Sequence, residues 1–123
     1  MGVKYTKEHE WVRVEGDVAV CGISAYAAEQ LGDIVYVELP NEGKAVKKDG
    51  EMAVVESAKA ASDVFAPITG TVVAVNPALG EKPELVNAGP EGEGWMVKLR
   101  IGNAGELDGL MDEAAYKDFL GSL

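Results

Sequence analysis

Short apolar runs of period two, each closed by glycine or proline, recur along most of this 123-residue chain. Such runs suit strands that alternate between core and solvent, and they are too brief for long helices. Trp11–Val14 and Val18–Ile23 are two of them, and Glu15-Gly16-Asp17 between them reads as a hairpin turn. Ile34–Leu39 follows, stopped by Pro40, and Met52–Val55, Asp63–Phe65 and Thr71–Val75 are further short strands. Trp95, Val97, Leu99 and Ile101 alternate with Met96, Lys98 and Arg100, a half-buried strand with two cations on its wetter face. Fifteen glycines and five prolines supply the turns that so many strands require.

Helix signals are few. Ser24 caps a short helix running to Leu31 and ended by Gly32; Asp112 caps a C-terminal one, with Ala115, Tyr116, Phe119 and Leu120 at helical spacing and Gly121 closing it. Leu107, Leu110 and Met111 suggest one more turn before it. Segment 76–94 carries seven Gly or Pro residues and reads as a long surface loop, functional or mobile, with one helical turn at Glu84 to Asn87. A Pro-x-x-Gly-x-x-Val pattern occurs at Pro40–Val46 and again at Pro67–Val73. As a duplication it implies two similar β-layers about a pseudo-two-fold axis passing near Glu56 and Ser57.

The length suits one domain with its own core. Eleven basic residues stand against 21 acidic ones, a net charge of −10. Lys44, Lys47 and Lys48 are the only local basic cluster, so nucleic acid and anionic membrane are poor partners. No apolar run approaches the roughly 20 residues that span a bilayer. The start of the chain resembles neither a signal nor a transit peptide. A lone Cys21 excludes an internal disulfide and fits a reducing compartment, so a cytoplasmic location is expected.

The segment Val54–Pro67 stands out. Two strand-like runs flank Ser57-Ala58-Lys59-Ala60, so small neighbours leave one lysine sterically open at a fixed place. A separate enzyme could acylate that amine; the plain alternative, which spacing alone favours, is a solvated hairpin residue. A Schiff-base lysine needs a desolvating pocket or a neighbouring cation, and the local neighbours Glu56 and Asp63 are neither. Glu8, His9 and Glu10 sit on adjacent residues of an extended chain and point to opposite faces, so a solvated edge or a partner contact is expected there rather than a metal site. Cys21 lies inside an apolar run and reads as a buried thiol rather than as a nucleophile paired with His9. Gly89–Gly94 is glycine-rich but acidic and would repel phosphate. No enzyme active site emerges. The acidic C-terminal helix reads as a solvated face, with a docking surface as the alternative.

Glu56–Pro67 followed by Gly70 resembles the lipoylation segment of the H proteins of the glycine cleavage system. His9-Glu10-Trp11, Leu31–Pro40, Gly94–Lys98 and the C-terminal helix match that family in order and spacing. Acyltransferase lipoyl domains usually show Asp-Lys-Ala at this hairpin and biotin carriers Met-Lys-Met, whereas here Ala58-Lys59-Ala60 follows Ser57.

The resemblance implies a mainly β barrel-sandwich hybrid, like lipoyl and biotin carriers, with short helices and a C-terminal helix. It implies a single carrier domain over residues 1–123, comprising an N-terminal hairpin (1–23), a core (32–101) and a C-terminal helical segment (106–121). Lipoate is expected in amide linkage to Lys59, placed there by a lipoate-attaching enzyme. The function implied is carriage, not catalysis, of an aminomethyl group. The group would come from a glycine decarboxylase (P protein) and pass to a tetrahydrofolate-dependent aminomethyltransferase (T protein), with a dihydrolipoamide dehydrogenase (L protein) reoxidising the dithiol. The compartment would be the cytoplasm, or the mitochondrial matrix for a eukaryotic mature form. By motif position Glu10 and Asp63 are expected to meet the arm's cationic cargo. Many relatives carry His before the Leu-Gly of the central motif where this chain has Gln30, a contact that can hydrogen-bond but cannot titrate. Two alternatives stand beside this reading: an H-like relay passing lipoyl groups to other acceptors, and a non-lipoylated β-sandwich interaction module.

Overall fold

The computed structural model describes residues 3–123, and its first hairpin forms where the apolar alternation begins. Strands β2 (Glu10–Glu15) and β3 (Val18–Ile23) pair antiparallel, Glu15 opposite Val18 and Val12 opposite Cys21. β3 is apolar throughout because both faces are covered. Val12, Ala19 and Cys21 enter the main core, whereas Trp11 and Val20 face the other way and pack with Tyr5 and Tyr116. Gly22, opposite Trp11, leaves room for the indole: a Cβ there would lie 3.1 Å from Trp11 Nε1.

Around this hairpin an antiparallel sheet of six strands is built. β1 (Lys4–Tyr5) flanks β2, and β3 is followed in space by β9 (Val97–Ile101), β8 (Gly70–Val75) and β5 (Ala45–Val46). A second sheet places β6 (Glu51–Ser57) between β4 (Ile34–Glu38) and β7 (Ala61–Phe65). The main core lies between the sheets, with Val55 and Val64 on one side and Val72, Val97 and Leu99 on the other. The expected mainly β architecture with short helices and a C-terminal helix is therefore the observed one. The two copies of the Pro-x-x-Gly-x-x-Val pattern pair with each other, Ala45 opposite Thr71 and Val46 opposite Gly70. They are nested about the same turn as β6 and β7, where Glu56 faces Ala61.

The helices start where their caps predict. Helix α1 (Ala25–Leu31) begins with Ser24 Oγ accepting from Ala27 N, and α4 (Glu113–Gly121) with Asp112 Oδ1 accepting from Ala115 N. Gly121 is the last residue of α4 and Ser122 its C-cap, one position later than expected. The turn before α4 is a 3₁₀ helix, Ala104–Gly109; its Glu106 accepts from Thr69 N and Oγ1, and beyond it Met111 bridges Tyr5.

Segment 76–94 has the expected helical turn near Glu84 to Asn87 but is more ordered than the expected long surface loop. It folds into two single-turn helices, α2 (Ala78–Glu81) and α3 (Leu85–Ala88), which bury Leu79 and Val86 in the core. Asn76 Nδ2 closes the segment by donating to Glu93 O and Trp95 O, both at 2.9 Å. The acidic stretch after it is pinned as well. Trp11 Nε1 donates to Pro90 O, while Glu91 accepts from Tyr5 OH through one carboxylate oxygen and from Ala25 N, at the start of α1, through the other. A carboxylate at that helix end is electrostatically favourable. Glycine and proline density marks turns but not whether side chains elsewhere hold them.

Candidate functional site

The β6–β7 hairpin ends in a turn that the Ser57 side chain organises. Ser57 N donates to Ala60 O at 2.7 Å. The Ser57 hydroxyl donates to Ala60 O (3.1 Å) and accepts from Lys59 N (3.3 Å) and Ala60 N (3.0 Å). This uses its full capacity of one donor and two lone pairs. Ala58, Lys59 and Ala60 are exposed. The tip is also tied sideways, because Ala58 N donates to Asp33 O at 3.1 Å. Asp33 in turn sits between two groups clamped by one side chain. Asn87 of α3 donates from Nδ2 to Gly32 O and accepts at Oδ1 from Ile34 N, each at 2.8 Å. The sequence reading missed Asn87, which lies more than 50 positions from its partners. It also missed the turn-forming role of Ser57, whose only local signal is a serine two and three places before the amides it binds.

Lys59 folds its stem across Gly32, the C-cap of α1. Gly32 has φ +81°, and a Cβ there would stand 3.3 Å from Lys59 Cε and 3.9 Å from Nζ. Gly32→Ala is expected to cost about 1–3 kcal/mol, because φ +81° with ψ −155° is a backbone conformation that essentially only glycine adopts, and to push the lysine stem aside. Urea unfolding should show the loss, and a parent-like midpoint would mean that the backbone can relax there.

Glu10 is the second notable group. The sequence reading placed Glu8, His9 and Glu10 on an extended, solvated edge. Instead, a turn closed by His9 N to Thr6 O carries His9 into the left-handed region at φ +69°, and Glu10 is only 2 % exposed. Glu10 Oε1 accepts from Thr6 Oγ1 at 2.7 Å and Oε2 from Phe65 N at 3.3 Å. Burial raises its pKa to about 7; the two hydrogen bonds oppose the rise, and the Glu8 and Asp49 carboxylates add to it. Among the described residues the one ion pair is Arg13 with Glu15, so Glu10 has no cationic partner among them. Thr6, which holds it, lines an open cleft of about 320 Å³ together with Tyr5, Glu8, Lys48, Asp49 and Leu110.

Asp63 and Gln30 are both exposed, on β7 and on the last turn of α1. Asp63 is four residues from Lys59 along β7, hence ~13 Å, while Phe65, which binds Glu10, is six residues away at ~20 Å. Lysine carrying a lipoyl group is about a dozen bonds long and reaches ~15 Å. An arm laid along β7 therefore passes Asp63 and brings only what its tip carries toward Glu10. The residues present fit such a group: a small-residue turn around the lysine, a glycine beneath its stem, and the exposed Asp63 carboxylate within the arm's reach.

The remaining candidates hold structure. Cys21 is fully buried, its thiol donating to Val97 O at 3.3 Å, and burial pushes its pKa up. His9 packs against Tyr26 and Phe119, and its Nδ1 is 2.8 Å from Tyr116 OH. Tyr116 OH is 2.7 Å from Ser24 Oγ, the cap of α1. Desolvation lowers the His9 pKa, against the pull of Glu8. The described residues contain no cluster of three His, Cys, Asp or Glu able to hold a metal, and no helix among them is long and apolar enough to cross a membrane.

The family model described as "Glycine cleavage H-protein" matches residues 3–122. The glycine cleavage system H protein of Xanthobacter autotrophicus is 64 % identical over 121 residues, covering 98 % of this chain and 97 % of that one. The H protein of Thermotoga maritima is 55 % identical over 116 residues, 94 % of each chain. The crystal structure of a glycine cleavage system H protein from Mycobacterium marinum superposes with a TM-score of 0.88 at 34 % identity, covering 97 % of this chain and 96 % of that one. The family is one of carriers rather than catalysts. With its model matched from residue 3 to residue 122 and its fold reproduced, the chain belongs to the glycine cleavage H-protein family.

Proposed function

We propose that the 123 residues act as one carrier unit bearing lipoate on Lys59. In this reading the carrier moves the aminomethyl group from the glycine decarboxylase to the tetrahydrofolate-dependent aminomethyltransferase of the cytoplasmic glycine cleavage system. When bound in its oxidised form, lipoate would supply a disulfide whose cleavage takes the aminomethyl carbon on one sulfur and leaves the other as a thiol; once the one-carbon unit has been passed on, the resulting dithiol would be reoxidised by the dihydrolipoamide dehydrogenase. The observation that carries the reading is the mount: an exposed lysine on a turn fixed by Ser57 and Asp33, in a chain of this family. Fixing the base of the arm lets each partner meet the reactive end without first ordering the carrier. Intact-mass measurement after expression with lipoate tests it. One lipoyl group added, mapped to Lys59, is expected; an unmodified chain in the presence of an active lipoate-attaching enzyme would exclude any lipoyl role. Glycine–bicarbonate exchange with the decarboxylase distinguishes the shuttle from a lipoate relay.

Glu10 and Asp63 are proposed to face the cationic cargo, and Gln30 to offer the arm a neutral hydrogen bond near its root. A charge-assisted hydrogen bond contributes roughly 1.5–3 kcal/mol, so the loaded carrier of Glu10→Gln or Asp63→Asn should release ammonia and formaldehyde about tenfold faster. Both variants should still be lipoylated to completion when the attaching enzyme is in excess. Decay at the parent rate in both variants would remove the two carboxylates from the arm's site.

A further inference from the structure

We propose that the outer face of the three-stranded sheet, centred on Val35 and Tyr36, docks the enzyme that acylates Lys59, and that this enzyme presents an apolar notch ringed by cations. The inference rests on the reading that Lys59 is acylated. Apart from the terminal Leu123, Val35 and Tyr36 are the exposed large apolar side chains among the described residues, at 57 % and 50 %. Their exposure has a specific cause. The ladder between β4 and β6 slips between Ile34 and Tyr36, and Ile34 and Val37 are buried, so the two residues between them turn outward together instead of alternating. Regular pairing would have sent one of them inside.

The rest of that face is acidic. Residues opposite one another on paired strands share a face. Tyr36 is opposite Glu56, Glu38 is opposite Val54, and Val54 is opposite Asp63. The face therefore joins one apolar pair to three carboxylates, none of which forms an ion pair with a described residue. Its complement is apolar at the centre and basic at the rim.

Reach selects the occupant. Glu56, beside Tyr36, is three residues from Lys59, so the patch lies ~10 Å from the lysine backbone. An enzyme that works on a lysine already extended by its arm can stand off by ~15 Å. One that acylates the bare amine has no such length to use. It must cover the hairpin tip, and with it the patch, which the bond from Ala58 N to Asp33 O ties to that tip.

The test uses the full, unacylated chain and its lipoate-attaching enzyme. In Val35→Ser with Tyr36→Ser, the dissociation constant measured by calorimetry without lipoate should weaken about tenfold, equivalent to about 1.4 kcal/mol. KM for lipoylation should rise in parallel, with kcat within about twofold. Glu38→Gln with Glu56→Gln should flatten the dependence of binding on salt. Tyr36→Asp serves as a second variant should the double serine chain unfold, and it should weaken binding at least as much. Parent-like dissociation constants in a folded variant overturn the docking face while leaving the function intact. A parent chain that is never acylated overturns the function and this inference with it.

Discussion

Replacing Lys59 by arginine is expected to abolish acylation, and every activity that depends on it, while leaving the unfolding curve in place. Arginine keeps the positive charge and fits the turn, but its guanidinium stays protonated and does not form the amide. Nothing in the turn depends on the amine. The hydrogen bonds at the tip run through the Ser57 hydroxyl, the Lys59 and Ala60 amides and the Asp33 carbonyl. Intact mass should show no lipoyl addition, and thermal melting should match the parent within a degree or two. A cooperative loss of structure instead would make Lys59 a structural residue and remove the carrier reading's central support.

Stability is expected to rise as pH falls from 8 toward 5, with Glu10 the cause. A carboxyl group whose folded pKa is raised binds its proton more tightly folded than unfolded. Its stabilisation is complete below the ordinary carboxyl pKa and is lost as pH climbs through the folded value, here about 7. Across that window the contribution is about 3 kcal/mol, since each pKa unit corresponds to about 1.4 kcal/mol. Urea midpoints measured against pH should show this slope in the parent, and Glu10→Gln should remove it. The glutamine chain gains less than the full amount at pH 8. Its amide has one acceptor oxygen for two donors, so its NH₂ meets either Thr6 Oγ1 or Phe65 N. Parallel profiles for the two chains would mean that Glu10 stays ionised across the range. A buried carboxylate that tolerates its charge poorly when alone is one that a cation would stabilise strongly.

The difference between Glu8 and Glu10 shows where sequence reasoning stops. Both are acids beside His9, and no local pattern separates them. Glu10 is buried because Thr6, four residues before it, and Phe65, 55 residues after it, supply donors for its two oxygens. Long-range polar pairing of this kind leaves no periodic trace. Asn87 is hidden for the same reason, as is Glu91, which ties α1 to β1. Legible features were those whose cause is local: the caps Ser24 and Asp112, the alternating strands, the hairpin turn and the small residues around Lys59. β1 and β5 escaped because two residues are too few to show a period.

A lysine anchored in this way sets the concentration of what it carries. Ser57 fixes the turn, Asp33 braces it from the side, and Asn87 holds the brace, so the base of the arm has little freedom of its own. A tether of ~15 Å rooted on such a surface sweeps a half-sphere of roughly 7,000 Å³, which places its end at an effective concentration on the order of 0.1 M. For any active site that docks within that half-sphere, the second-order search has already become a first-order swing. Substrate supply is then limited by how often carriers arrive, which makes docking and release, rather than the flexibility of the arm, the steps on which selection can act.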